Sequence, residues 1–363
     1  MSEIGRRQTT ETEDPPLIVA EISANHNGSK KCFLDLIRAA ADSGADLVKF
    51  QTYTADTMTL PLDTPRFRIS DDHGLWGGMR LYDLYEAAHT PWEWHAEGFE
   101  LARSLGIDAF SSPFDKTAID FLEQFGPFAY KIASMEISDL PLISYAAGLG
   151  KPIVISSGTA HTSEVARAVE VARSAGSRDI TLLLCTSSYP ASPEDANLVT
   201  LEAWREAFGV KTGLSDHTLG LGTSIAAVAL GARLIERHVT ISRAEGGFDS
   251  AFSLEPHELA QLVSECRDAW LALGSVRTGP TKSESESLRL RRSLNVAADV
   301  RAGDAVTDSV VRAVRPGGGL GPGSLADILG RRFAVDVSAG TPMSWDLLSP
   351  RDSGPVPQMD AAT

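Results

Sequence analysis

Two histidines, His217 in "GLSDHT" and His238 in "LIERH", each stand at the end of a short apolar run. If those runs are neighbouring strands, about 5 Å apart, the two imidazoles can share one divalent cation and leave positions open for water and substrate. The same residues also suit a hydrogen-bonded pair of rim histidines. Asp216 is placed to orient His217 as readily as to bind anything itself. Two lysines, Lys49 in "DLVKFQ" and Lys131 in "FAYKIA", interrupt apolar runs of their own. A single strand lysine usually snorkels to the outside. Two of them beside several serines make an anion cradle, in which ammonium groups, hydroxyls and backbone N–H groups hold a phosphate. Glu21 in "AEISANHNGS" and Glu136 in "ASMEIS" are the acid–base candidates.

These groups need a scaffold that brings them to one place. Eight short β-rich runs recur along the first three quarters of the chain: 17–22, 46–51, 107–112, 128–133, 152–157, 180–185, 210–215 and 233–238. Helical patterns lie between them. "CFLDLIRAAADSG" has apolar residues at 33, 34, 36, 37, 40 and 41 and ends on Gly44, and "TSEVARAVEVARSAG" opens with a Thr or Ser cap and closes on Gly176. Eight strand–helix units over roughly 260 residues predict a (β/α)8 TIM barrel, whose chemistry gathers at the C-terminal ends of the strands. A doubly wound sheet is the rival, but the first turn carries Gly28 and no GxGxxG. Every predicted strand end delivers a polar residue to one rim. In order they are Glu21; Lys49 and Gln51; Ser111 and Ser112; Lys131, Ser134 and Glu136; Ser156 and Ser157; Thr186 and Tyr189; Ser215 and His217; Glu236 and His238. The segment 52–91 is too long for a plain connection and is expected to cover the barrel mouth.

The catalytic domain is therefore expected over 17–274, after a flexible N-terminal tail (1–16). A charged, Ser-rich linker (275–292) leads to a small β-rich module (293–348) and a tail without assigned structure (349–363). The module contains an echo, "DVRAGDAVT" (299–307) against "DVSAGTPMS" (336–344), which suggests two similar strand–turn–strand units facing one another. A net charge of -15 speaks against nucleic-acid or anionic-membrane partners. Any bound anion must be held by locally placed cations. Cys32, Cys185 and Cys266 have no CxxC spacing, and no apolar span of about 18 residues occurs, so a cytoplasmic protein is expected. Cys185, ending a buried strand, reads as inert. His73, His89, His95, His161 and His257 read as surface or loop residues, and Trp92 and Trp94 as packing near a helix start. Asn25 and His26 are expected to shape the rim, with Asn27, Gly28 and Ser29 forming a turn and helix cap.

The segments "AEISANHNGS", "VKFQTY", "SSPFD", "AYKIASMEISDLPLI", "SSGTA", "CTSSYP", "GLSDHTLG", "ALGARLIERHVT" and "RPGGGLGP" resemble the nonulosonate (sialic-acid-type, NeuB-like) synthases over nearly the whole chain. The resemblance implies condensation of phosphoenolpyruvate with an amino-sugar aldehyde, and a C-terminal antifreeze-like (SAF) domain set over the partner's barrel in a domain-swapped homodimer. It implies that His217 and His238 hold Mn2+ or Mg2+, and that Lys49, Ser112, Lys131, Ser134, Ser156 and Ser215 hold phosphoenolpyruvate. Glu21 would lie beside the metal water, and Glu136 would steer the attacking water or the developing charge. Gln51, Tyr189 and Asp249 would face the sugar, with Arg315 reaching an acyl group from the other subunit. Ser112 stands where some relatives have threonine. Within the family, "GLWGGMRLYDLYEAAHTPWEWH" and "GGFDSAFSLEP" look like the pseudaminic acid synthase branch. Sialic and legionaminic acid synthases more often have Asp-His where this chain has Asp249-Ser250-Ala251-Phe252. An aromatic ring from this stretch beside the sugar would suit a 6-deoxy substrate. The readings that compete with this one are the same reaction on N-acetylmannosamine or the legionaminic precursor, a metal-dependent aldolase, and a non-catalytic glycan-binding protein.

Overall fold

The computed structural model describes residues 14–71 and 76–350, so the expectations for His73 and for most of both tails lie outside the described residues. The chain divides into two compact units, residues 1–274 and 275–363.

In the first unit, eight parallel strands close a barrel in chain order: β1 (Leu17–Glu21), β2 (Leu47–Thr52), β3 (Asp108–Pro113), β4 (Tyr130–Ile132), β5 (Ile153–Ser156), β6 (Ile180–Cys185), β7 (Lys211–Ser215) and β8 (Leu234–His238). The order confirms the TIM barrel and excludes the doubly wound sheet. Closure is set by β1 against β8, where Glu21 pairs with His238, and by β1 against β2, where Glu21 pairs with Lys49.

Strand periodicity explains how the barrel becomes a site. Val19, Leu47, Phe110, Ala129, Val154, Leu183 and Leu234 form an apolar plug inside the barrel. Side chains two positions apart share a face. Each plug residue is therefore followed, two positions on, by a side chain one layer higher: Glu21, Lys49, Ser112, Lys131, Ser156, Cys185 and Glu236. The eighth strand position in the plug layer is Gly213, followed by Ser215. A Cβ at Gly213 would lie 2.3 Å from the Leu234 carbonyl oxygen and 2.7 Å from a Leu183 methyl, so only glycine lets β7 approach its neighbours this closely.

Around the barrel, the helices bury their apolar stripes against the strands. Lys30–Asp42 places Phe33, Leu36, Ile37 and Ala40 inward, and Ser29 caps it by accepting from Cys32 N at 3.3 Å. The helix Thr162–Ser174 starts one residue earlier than the sequence pattern suggests. His161 occupies the cap position and its backbone N–H donates to the Glu164 carboxylate at 2.8 Å, so Thr162 opens the helix rather than capping it.

In the second unit, β9 (Ser293–Val296) pairs antiparallel with β10 (Val311–Val314). The two echo segments do face one another. Val300 and Val337 exchange both backbone hydrogen bonds at 2.9 Å. The Asp336 carboxylate accepts from Ala302 N at 2.8 Å, and the Asp299 carboxylate accepts from Ala339 N at 2.8 Å. Each half thus completes the other's turn. The facing segments make isolated bridges rather than regular strands, because glycine and aspartate turns interrupt the ladder. Leu294, Val296, Val306, Val311, Ile328, Phe333 and Met343 supply the unit's own core.

Candidate active site

A cavity of about 420 Å³ opens at the C-terminal ends of the eight strands. Of the fourteen residues expected to act, thirteen line it: Glu21, Lys49, Gln51, Ser112, Lys131, Ser134, Glu136, Ser156, Tyr189, Ser215, His217, His238 and Asp249. Arg315 does not; it lies exposed in the second unit, one residue after β10.

The floor is a charged tetrad. Lys131 Nζ donates to Glu236 Oε1 at 3.0 Å, Lys49 Nζ lies 3.5 Å from the same oxygen, and Ser215 Oγ donates to it at 2.9 Å. Lys49 Nζ also reaches Glu21 Oε2 at 3.0 Å and donates to Ser112 Oγ at 3.2 Å. All four charged residues are at most 4% exposed. Burial opposes each charge, so partners decide the outcome. Glu21 and Glu236 keep Lys49 above the ordinary lysine range. For Lys131, burial and then the like charge of Lys49 outweigh Glu236 and leave it below that range. Despite burial, Lys131 and Lys49 hold Glu236 far below the usual carboxylate range. Two lysines thus face two glutamates across the floor.

Above the floor, a hydrogen-bonded arc joins β1, β2 and the segment after β8. Gln51 Nε2 donates to Glu21 Oε1 at 3.0 Å and to Ser23 Oγ at 2.9 Å, while Ser23 Oγ donates to Asp249 Oδ2 at 2.5 Å. Asp249 Oδ2 in turn lies 3.6 Å from His238 Nδ1. Burial works against the Asp249 charge, but His238 and the Ser23 hydroxyl hold it below its ordinary range. On the opposite side, Ser134 Oγ accepts from Gly158 N at 3.2 Å. A Cβ on Gly158 would sit 2.0 Å from Ser187 Oγ and 2.6 Å from Ser134 Oγ, so a larger residue here would displace both serine hydroxyls. Glu136 begins the path away from the floor on the turn Ser134–Glu136, and burial pushes its carboxyl up to about 7.

The imidazoles of His217 and His238 have centroids 5.2 Å apart. His217 Nδ1 lies 3.0 Å from the Thr186 carbonyl oxygen, an arrangement in which Nδ1–H donates and Nε2 keeps its lone pair. Among the described residues no group of three or more His, Cys, Asp or Glu forms a complete metal shell. The fit to a metal rests instead on the two imidazoles and the unpartnered His238 Nδ1, a donor pair of the kind that takes a borderline divalent cation, with other positions left to water or substrate oxygens. Buried side-chain atoms without a hydrogen-bond partner include Glu136 Oε2, Ser156 Oγ, Glu236 Oε2 and His238 Nδ1, all on this cavity. Such atoms are costly unless a ligand satisfies them.

A family model described as the NeuB family matches residues 36–278, and one for the SAF domain matches 291–349. The chain belongs to the NeuB family. It is 44% identical over 333 residues to a pseudaminic acid synthase of Helicobacter pylori, covering 92% of this chain and 97% of that one. An N,N'-diacetyllegionaminic acid synthase of Legionella pneumophila is 36% identical over 335 residues, covering 91% and 93%. Among solved structures, the N-acetylneuraminic acid (sialic acid) synthetase of Leptospira borgpetersenii, in complex with citrate, matches with a TM-score of 0.67 and 32% identity, covering 76% of this chain and 90% of that one.

Within this NeuB chain, several residues differ from their sequence reading. Glu236 was visible only as one rim residue, yet its Oε1 is where both lysines and Ser215 converge. Cys185 is not inert packing: it lines the cavity, receives a hydrogen bond from Ser134 Oγ at 3.3 Å and lies 3.9 Å from His217 Nδ1. Burial alone would raise its thiol, but His217 and Ser134 bring it down to about 7. His95 is no surface residue either. It is fully buried, with Nε2 2.8 Å from Thr52 Oγ1, and burial pushes its pKa down to about 4. Phe252 is 2% exposed and packs beneath both imidazoles, with ring centroids 5.0 Å from His238 and 6.0 Å from His217. The ring expected from the stretch 249–252, Phe252, does not line the cavity; Phe248, one residue before that stretch, does.

The segment 52–91 lines the mouth, as its length suggested. Tyr53, Met58, Ile69, Leu81, Leu84, Tyr85 and Ala88 give the mouth an apolar wall. Trp92 Nε1 donates to the Tyr53 carbonyl at 3.1 Å and Trp76 Nε1 to the Phe248 carbonyl at 3.1 Å, which ties the wall to the barrel. Trp94 packs against Phe33 and His26. Asn25 Nδ2 donates to the Val239 carbonyl and to Ser253 Oγ, both at 2.8 Å, so it braces the rim from behind.

Proposed function

We infer that this chain is a pseudaminic acid synthase, condensing phosphoenolpyruvate with 2,4-diacetamido-2,4,6-trideoxy-L-altrose to give a nine-carbon 2-keto sugar acid and phosphate. The observation that carries the reading is the 44% identity to a pseudaminic acid synthase across both domains. The charged floor and apolar mouth supply its physical sense.

Lys49 and Lys131, with the hydroxyls of Ser112, Ser134, Ser156 and Ser215, would hold the phosphate and carboxylate of phosphoenolpyruvate. The sugar would lie above, against Gln51, Tyr189 and Asp249, with its methyl groups toward the apolar wall. His217 and His238 would hold Mn2+ or Mg2+, whose chemistry there is to polarise an oxygen of the aldehyde. C3 of phosphoenolpyruvate attacks the aldehyde carbon, and water adds at C2. Glu136, its carboxyl raised to about 7, is suited to take the water proton. Breaking the C2–O bond then releases phosphate and leaves the 2-keto acid. Positioning and electrostatics supply the acceleration.

A domain-swapped homodimer would let the second unit of one subunit present Arg315 to the sugar in the other. No helix among the described residues is long and apolar enough to cross a membrane, and the three cysteines are free, which agrees with a reducing cytoplasm.

Competition among three sugars tests the reading. Phosphate release from phosphoenolpyruvate should be fastest with the trideoxy-altrose. Preference for N-acetylmannosamine or the legionaminic precursor overturns the sugar assignment. Absence of phosphate release with all three overturns the reaction and favours an aldolase or a binding protein.

A further inference from the structure

His217 and His238 are each preceded by a charged residue that faces the opposite way. Strand alternation sends Ser215, His217, Glu236 and His238 into the barrel mouth, and Asp216 and Arg237 outward beneath the helix Gly222–Ala229. There Arg237 Nη1 lies 2.8 Å from Asp216 Oδ2, with the residues 1% and 3% exposed. The guanidinium does more than neutralise the carboxylate. Nη1 also donates to the Gly220 carbonyl at 2.9 Å and Nη2 to the Thr218 carbonyl at 2.8 Å, so a side chain of β8 grips the turn that follows His217. Asp216 grips the same turn from its own strand. Its Oδ1 accepts from Thr218 N at 2.9 Å and Thr218 Oγ1 at 2.8 Å, and its Oδ2 accepts from Ser224 Oγ at 2.5 Å.

A buried ion pair is weak support for stability, since desolvation offsets most of its attraction, and its better attested use is to fix register. Here the register concerned is that of two histidine-bearing strand ends. Regular β7–β8 pairing includes Ser215 with Glu236, and Asp216 N donates to the Glu236 carbonyl at 3.0 Å. Beyond that point the turn leaves β8; the His217 carbonyl accepts from Ala191 N at 2.9 Å and its Nδ1 meets the Thr186 carbonyl, while toward β8 the turn is held by side chains. We propose that Asp216 and Arg237 are positioning residues that clamp the turn after β7 to β8 and thereby set the spacing of the His217 and His238 imidazoles for a divalent cation. This rests on the metal reading given above. The planar fork is the essential part: a lysine at 237 keeps the charge and can meet Asp216, but cannot reach both carbonyls of the turn.

The test is Mn2+ binding to the metal-stripped full chain by titration calorimetry, with the melting temperature of the stripped protein recorded alongside. Arg237→Lys should raise the Kd for Mn2+ ten- to a hundredfold, while kcat recovers at saturating Mn2+. The control is Arg267→Lys. Arg267 pairs with Asp46 at 2.6 Å beside the N-terminal ends of the strands, and its loss should lower the melting temperature without changing the Kd. Should Arg237→Lys fail to fold, Ser224→Ala removes one hydrogen bond to Asp216 without touching a charge, and should weaken Mn2+ binding about threefold. Wild-type affinity in Arg237→Lys, or in Ser224→Ala where Arg237→Lys does not fold, overturns the clamp, as does equal weakening in Arg267→Lys. Failure of the wild type to bind Mn2+ overturns the metal site and the clamp together, whereas the sugar competition judges the reaction independently.

Discussion

The floor and the mouth of the cavity are built on opposite principles. The floor spends two lysines, two glutamates and a ring of hydroxyls on one small volume, all placed by strand alternation directly above an apolar plug. The mouth is walled by Tyr53, Ile69, Leu81, Leu84 and Tyr85, contributed by an insertion that is not part of the barrel repeat. The floor can vary little, since each charge is desolvated and depends on the others. The wall holds no desolvated charge, so one apolar side chain can replace another of similar volume at lower cost. Under the proposed function, the reaction belongs to the floor and the choice of sugar to the mouth.

Three substitutions would break or sharpen that division. The largest effect is expected from Lys131→Ala, which removes one of the two floor lysines and leaves Glu236 with Lys49 and Ser215 alone. Under the proposed function, kcat/KM for phosphoenolpyruvate should fall on the order of a thousandfold, equally for every sugar, and the melting temperature should fall as well because a buried ion pair is broken. A loss that depended on the sugar would dissolve the boundary between floor and mouth.

Glu136→Gln comes next, at about a hundredfold in kcat. If the carboxylate takes the water proton, wild-type kcat rises as pH climbs through about 7, and the glutamine variant lacks that limb. The stability consequence has the opposite sense. Because the folded carboxyl is raised above its unfolded value, the native state holds its proton more tightly, and stability falls as pH rises from about 4.5 toward 7. Glutamine should therefore melt higher than wild type at pH 8. A variant with an unchanged pH–rate profile would remove Glu136 from the chemistry.

The smallest effect is expected from Leu84→Ser. It should lower the preference for the 6-deoxy sugar over a 6-hydroxy analogue about tenfold and leave the KM for phosphoenolpyruvate alone. An unaltered preference would show that the wall does not read the sugar.

Much of this was legible in the sequence because the barrel writes its layers with period two. Val19 before Glu21, Leu47 before Lys49 and Leu234 before Glu236 each give an apolar residue, a gap and a charge. That pattern marks a strand and the height of its side chain at once. What it does not give is distance across the barrel. Glu236 sits on β8, and its partners Lys49 and Lys131 sit on β2 and β4, so their convergence depends on the closed curvature of the sheet. Cys185 was misread for a related reason: the apolar run before it marks burial, but not that its end opens on the cavity. His95 is buried against Phe50 and Thr52 of β2 and against Phe121, and Phe252 against Tyr189 and the two histidines, contacts between elements where no simple period applies. The echo in the second unit announced its two facing halves, while the irregular bridges between them reflect local turn chemistry.

Those halves carry a consequence for where the chain can be cut. Asp299 finishes the turn at Ala339, and Asp336 finishes the turn at Ala302, so each half borrows a cap from the other. A stop codon placed between Gly330 and Asp336 would remove fewer than a tenth of the residues, yet leave the first half with an unanswered backbone donor and Val300 without its reciprocal partner. The two facing halves are inseparable: in folding terms they form a closed loop of mutual obligations, gained or lost as one.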